Sequence, residues 1–133
     1  MRGEVGMELG LLEGNYSIAR YARDSHPSIT HDKSSSFLSA SWTETECTVV
    51  AVESEIPPGY EELSEGWSVL KIEGIPDFSL VGVLSSVLAP LGKAGVRVFT
   101  LSTFSTDYIL VQKDSLDSAV ASLRSAGFVV GLL

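Results

Sequence analysis

Fifteen consecutive residues, 78–92 (FSLVGVLSSVLAPLG), carry no charge, and they separate one strand-like run from two more. Phe78, Val81, Leu84, Leu88 and Leu91 recur at helical spacing, which predicts a helix with a core-facing stripe. Its other side carries Gly82, Ser85, Ser86 and Ala89, all small. A helix side open to water normally bears Lys, Glu or Arg, so this side implies close cover by the rest of the chain or by a second copy. The plainer alternative is an under-charged surface helix. Asp77 is the expected N-cap, Pro76 ends the preceding strand, Pro90 removes one hydrogen bond and favours a bend, and Gly95 closes the segment.

After this helix, residues 96–112 (VRVFTLSTFSTDYILVQ) read as a hairpin. Its turn gathers the hydroxyls of Ser102, Thr103, Ser105 and Thr106 and the carboxylate of Asp107. The strand-to-helix junction at Asp77, Phe78 and Ser79 offers the opposite chemistry, since backbone N–H groups and the positive end of a helix dipole favour a small anion. A carboxylate binder beside an ammonium binder describes a receptor for a free amino acid. The plainer reading, in which Asp107 and the hydroxyls only stabilise a tight turn, stays open.

The rest of the chain narrows the function by exclusion. At 133 residues and 44% hydrophobic composition it has room for one domain or two small lobes. A net charge of −8 argues against a nucleic-acid backbone as partner. No apolar run approaches a membrane span, and the acidic first twenty residues lack a signal peptide's pattern, so a soluble, cytoplasmic protein without a membrane partner is expected. The single cysteine, Cys47, excludes an internal disulfide and stands before a strand-like run, as an inert buried thiol would. His26 and His31 lie in a polar loop at a spacing that suits no metal, so no metal or cofactor is expected. The many serines come with no G-x-S-x-G elbow and no ordered base, so no catalytic residue is assigned and an enzyme is disfavoured.

In chain order, residues 9–12 and 16–21 read as two strands turned at Gly14-Asn15, and residues 22–36 as a long loop. A second hairpin follows over 37–42 and 47–54. Its SWTETECTVV echoes TFSTDYILV with one extra residue, pairing Trp42 with Phe104 and Glu46 with Asp107, which suggests two copies of one unit. Residues 56–66, with two prolines and several glutamates, read as a polar linker. A strand at 67–72 opens the second half. A capped helix from Asp114 with Leu116, Ala119, Val120 and Leu123 on one side, a stop at Gly127 and a last strand at 128–133 complete it.

The order strand, DFSLVGVLSSVLAPL helix, AGVRVFTLSTFSTDYILV hairpin, SLDSAVASLRSAG helix and FVVGLL strand resembles an ACT domain. More narrowly, it is similar to the small two-lobed bacterial ACT proteins related to the cytosolic arginine sensors of animal cells. The resemblance implies an α+β, ferredoxin-like (βαββαβ) ACT domain at 63–133, preceded by a degenerate, mostly β ACT-like lobe at 1–62. It also implies a non-enzymatic regulatory module, usually a homodimer, that binds an amino acid at an interface between ACT lobes. The positions that match the sensors' ligand-holding residues are Thr103, Phe104 and Asp107. Asp77 and Leu80 depart from the sensors' glycine and glutamate, so arginine itself does not follow. The alternative is a dimerisation or protein-interaction domain without a ligand.

Overall fold

The computed structural model describes residues 7–31, 35–73 and 82–133. They form eight strands and two α-helices, β1 Glu8–Leu11, β2 Tyr16–Ala22, β3 Leu38–Trp42, β4 Glu46–Val52, β5 Glu62–Glu73, α1 Val83–Lys93, β6 Val98–Ser102, β7 Asp107–Gln112, α2 Leu116–Ser125 and β8 Val129–Leu132. The fold is α+β, as expected. The chain divides into two compact units, Gly14–Trp67 and a second made of Ser68–Leu133 with the residues up to Glu13.

In the second unit the order of β5, α1, β6, β7, α2 and β8 is βαββαβ. Its strands lie in the sequence β8-β1-β5-β7-β6. The N-terminal β1 is therefore inserted between the first and last strands of the βαββαβ unit, antiparallel to β5 and parallel to β8. This corrects the expected hairpin of residues 9–21. β1 does not pair with β2, whose partners are β4 and β5. The physical reason is burial: Leu9, 2% exposed, supplies an apolar side chain to a core that β5 and β8 alone would leave open.

That core also shows that both helices cover one side of the sheet. Leu9, Leu70, Ile72, Ile109, Val111 and Val130 alternate along their strands and meet Val87 and Leu91 of α1 and Ala119 and Leu123 of α2. Leu84 and Leu88 pack at its margin, as do Leu116 and Val120. Val87, absent from the predicted stripe, is fully buried, and Phe78 and Val81 lie outside the described residues. The described helix begins at Val83 with Gly82 at its N-cap and no side-chain cap bond. Ser115 precedes α2, likewise without a side-chain cap bond.

Both helices stop by one device. In α1 the N–H of Val96 bonds the carbonyl of Leu91 at 2.9 Å and that of Gly95 bonds Gly92 at 3.0 Å. In α2 Phe128 bonds Leu123 and Gly127 bonds Arg124, both at 3.0 Å. These are Schellman closures, in which the residue after the last helical turn takes a left-handed conformation that only glycine adopts without strain. The Ala-Gly pairs of 94–95 and 126–127 are their sequence signature. The side of α1 bearing Gly82, Ser85, Ser86 and Ala89 is exposed, so the described residues do not supply the close cover that its composition implies.

The Gly14–Trp67 unit is a sheet in the order β3-β4-β2-β5, with antiparallel pairing throughout. Its described residues contain no α-helix, in keeping with a degenerate, strand-rich lobe. Ala19, Tyr21, Cys47, Val49 and Ala51 form its core, with Ile29 of the long loop packed against them. The expected linker is structured. Pro57 is buried and its carbonyl accepts the Tyr21 hydroxyl at 2.6 Å, and β5 begins at Glu62. The register against β2 jumps from Ser64 to Trp67 while β2 advances from Ile18 to Tyr16, leaving one extra residue in β5. Gly66, at φ 79°, takes the bulge conformation, so a glycine that reads as a linker residue marks a bulge within a strand.

Candidate functional site

The 102–107 turn is a tight hairpin end that its own side chains hold. Ser102 and Asp107 are the last paired residues of β6 and β7. The Ser102 hydroxyl donates to the Asp107 carboxylate across them. The N–H of Thr103 bonds the Thr106 carbonyl at 2.8 Å, and the Thr103 hydroxyl reaches the same carbonyl at 3.3 Å. Thr106 points its hydroxyl inward to the Ile72 carbonyl at 2.6 Å, tying the hairpin to the end of β5. Phe104, at the tip, is 96% exposed.

The second hairpin closes in the same way and resets the register of the internal echo. Trp42 pairs with Cys47 as Ser102 pairs with Asp107. The N–H of Thr43 bonds the Glu46 carbonyl at 2.9 Å, as Thr103 bonds Thr106. Trp42 therefore corresponds to Ser102, Thr43 to Thr103 and Cys47 to Asp107, with no extra residue. Pairing Trp42 with Phe104 misplaced the echo, because turn type and loop length set a hairpin's register.

Beside the 102–107 hairpin opens a cleft of about 610 Å³. β5 contributes Lys71, Ile72 and Glu73, β1 contributes Glu8, and the hairpin contributes Thr103, Ser105, Thr106 and Tyr108. The Lys71 ammonium lies 3.5 Å from the Glu73 carboxylate, and both side chains are about one third exposed, at 34% and 30%. The cleft thus presents both signs of charge with hydroxyl groups, which suits a small dipolar ligand. Of the expected binding residues, Thr103 and Thr106 line it, with the Thr106 hydroxyl already given to Ile72. Ser102, Phe104 and Asp107 belong to the same hairpin and are not part of that lining. Asp77, Phe78 and Ser79 lie outside the described residues.

Lys71, Glu73 and Glu8 were not expected from the sequence. The signal that could have found Lys71 and Glu73 is the alternation of Leu70, Lys71, Ile72 and Glu73, which puts two charges on the side of a strand opposite two core residues. Elsewhere, Ser35 donates to Glu55 at 2.8 Å and its hydroxyl lies 3.4 Å from His31 Nδ1, which fastens the long loop to the short turn of helix at Glu53–Glu55. Among the described residues, no group of three or more His, Cys, Asp or Glu is placed to hold a metal ion. No described helix is long and apolar enough to cross a membrane.

Residues 62–125, just under half of the chain, match the family model described as ACT domain. The chain is similar to a crystal structure from Agobacterium tumefaciens at 29% identity, covering 96% of this chain and 93% of that one with a TM-score of 0.86. It shares its fold with the ligand-free regulatory subunit of aspartate kinase from Thermus thermophilus, at 12% identity over 89% of this chain and 96% of that one, TM-score 0.62. It also matches Clostridium acetobutylicum aspartate kinase at 11% identity, over 92% of this chain but only 34% of that enzyme, TM-score 0.63.

Proposed function

We propose that this protein is a non-enzymatic regulatory module that binds a free amino acid. The observation that carries the reading is the cleft of about 610 Å³, with its ammonium, carboxylates and hydroxyls, lined by Glu8 and otherwise by residues of the stretch that matches the ACT domain. The shared fold supports it: one neighbour is the regulatory subunit of an aspartate kinase, and another is described as an allosteric enzyme. In this reading Thr103 and Thr106 of the cleft wall, with Ser102, Phe104 and Asp107 of the same hairpin, face the ligand's polar side chain. A cytoplasmic location goes with it, since one unpaired cysteine fits a reducing compartment.

Thermal denaturation in the presence of each of the twenty amino acids tests the proposal. A ligand at a hundred times its Kd stabilises the folded state by about 2.7 kcal/mol, a rise of several degrees. Asp107→Asn keeps the shape and removes the charge, and is expected to weaken such a ligand about ten- to a hundredfold. If no amino acid binds at millimolar concentration and Asp107→Asn lowers only the melting temperature, the turn is structural and the module is an interaction domain.

The same reading makes the protein a homodimer, with the second ACT lobe at the ligand interface supplied by another copy. The uncharged, exposed side of α1 at Gly82, Ser85, Ser86 and Ala89 is the surface expected to be covered. Light scattering at micromolar concentration should give twice the chain mass of 14.2 kDa. A monomer would overturn this part.

A further inference from the structure

The cleft holds a charge arrangement that calls for a partner of its own. In the antiparallel pairing of β1 with β5, Glu8 stands directly opposite Glu73. Like charges facing one another on adjacent strands destabilise a sheet. The described lining sets these two carboxylates against one ammonium, that of Lys71, which lies 3.5 Å from Glu73. Both members of that pair are partly exposed, so water screens their attraction and the pair is held weakly.

A dipolar molecule can replace such a pair without leaving any charge uncompensated. Its carboxylate takes the Lys71 ammonium, and its own ammonium settles between Glu73 and Glu8, where it also relieves their repulsion. We infer that Lys71, Glu73 and Glu8 recognise the α-carboxylate and α-ammonium of an amino acid together, by exchange of the Lys71–Glu73 ion pair. This rests on the amino-acid reading of the cleft and assigns the ligand's two charges to named side chains. A simple acid must break the Lys71–Glu73 pair and strand Glu73 beside Glu8, and a simple amine makes no contact with Lys71, so each keeps only part of this recognition. The Thr106 hydroxyl gives its proton to Ile72, so toward the ligand it can only accept.

Calorimetry and thermal shift with the twenty amino acids, followed by the α-amide and the des-amino acid of each one that binds, test the inference. Both derivatives should bind at least about tenfold more weakly than the parent, the scale of one charge-assisted contact. Lys71→Met and Glu73→Gln should each weaken the parent amino acid to a similar degree. Glu8→Gln is the decisive variant: it removes a like-charge pair, so the ligand-free melting temperature should hold or rise while affinity falls. A wild-type protein that binds an amino acid equally well as its amide, or variants that keep wild-type affinity, would overturn the ion-pair exchange and leave the amino-acid reading standing. Absence of binding by all twenty would overturn both.

Discussion

Leu91→Ala and Leu123→Ala are each expected to lower the stability of the protein by about 2–5 kcal/mol, the range for deleting most of a buried leucine. Both side chains are fully buried, one from each helix, in the same cluster against the sheet. Each also supplies the carbonyl that receives the Schellman bond at its helix end, from Val96 and from Phe128. Truncation therefore removes the apolar contact that usually accompanies this closure, in addition to opening a cavity. Urea unfolding followed by circular dichroism measures the loss. Leu84→Ala, at the margin of the cluster, should cost less than either. Because Leu91 and Leu123 share one cluster, the double variant should depart from the sum of the singles. A loss below about 1 kcal/mol for both would contradict the packing of the helices on the sheet.

Much of this architecture is legible in the sequence because it depends on local signals. Alternating apolar residues and an Ala-Gly pair after each helix are read within a few positions. The insertion of β1 between β5 and β8 is not local. Nothing in residues 8–11 distinguishes pairing with their neighbour in sequence from pairing with strands some sixty and one hundred and twenty residues away. Gly14-Asn15 looks like a hairpin turn for the same reason that Gly66 looks like a linker: glycine marks an unusual backbone angle and leaves open whether the chain reverses or bulges. Cys47 and Val49 alternate inward while Thr48 does not, so the strand character of 47–52 was plain, but the buried Pro57 depends on Tyr21, far away in sequence.

The site divides along the same line. The 102–107 turn stands out because its hydroxyls and carboxylate fall within one short stretch. Their separate jobs do not, since only the structure assigns the Thr106 hydroxyl to Ile72 and the Ser102 hydroxyl to Asp107. Lys71 and Glu73 are far from that turn in sequence and become neighbours of Thr103 and Ser105 through the sheet. Glu8 joins them only because β1 is inserted where it is.

The pH dependence of stability is expected to fall on the alkaline side, through Cys47 and Tyr21 of the strand-rich unit. Cys47 is fully buried, and burial raises its thiol above the ordinary range. Tyr21 is 1% exposed, and its phenol is raised by burial first and then by Cys47 and Tyr60. The unfolded chain therefore loses these protons at lower pH than the folded one, and between the two values it binds fewer of them. Stability then decreases as pH rises. The contribution is complete below about pH 8.5 and is lost progressively as pH climbs through the ordinary cysteine range and then past about 10 for tyrosine. A urea midpoint measured at increasing pH should decline over that interval, and Cys47→Ala should flatten the earlier part of the decline. The same burial makes Cys47 unreactive. A disulfide-exchange reagent at pH 8 can reach the thiol only when the unit opens, so modification should be slower than in denaturant by about a thousandfold or more, the lower bound of ordinary folding equilibria. Rapid labelling of the native protein would place Cys47 outside the core of β2 and β4.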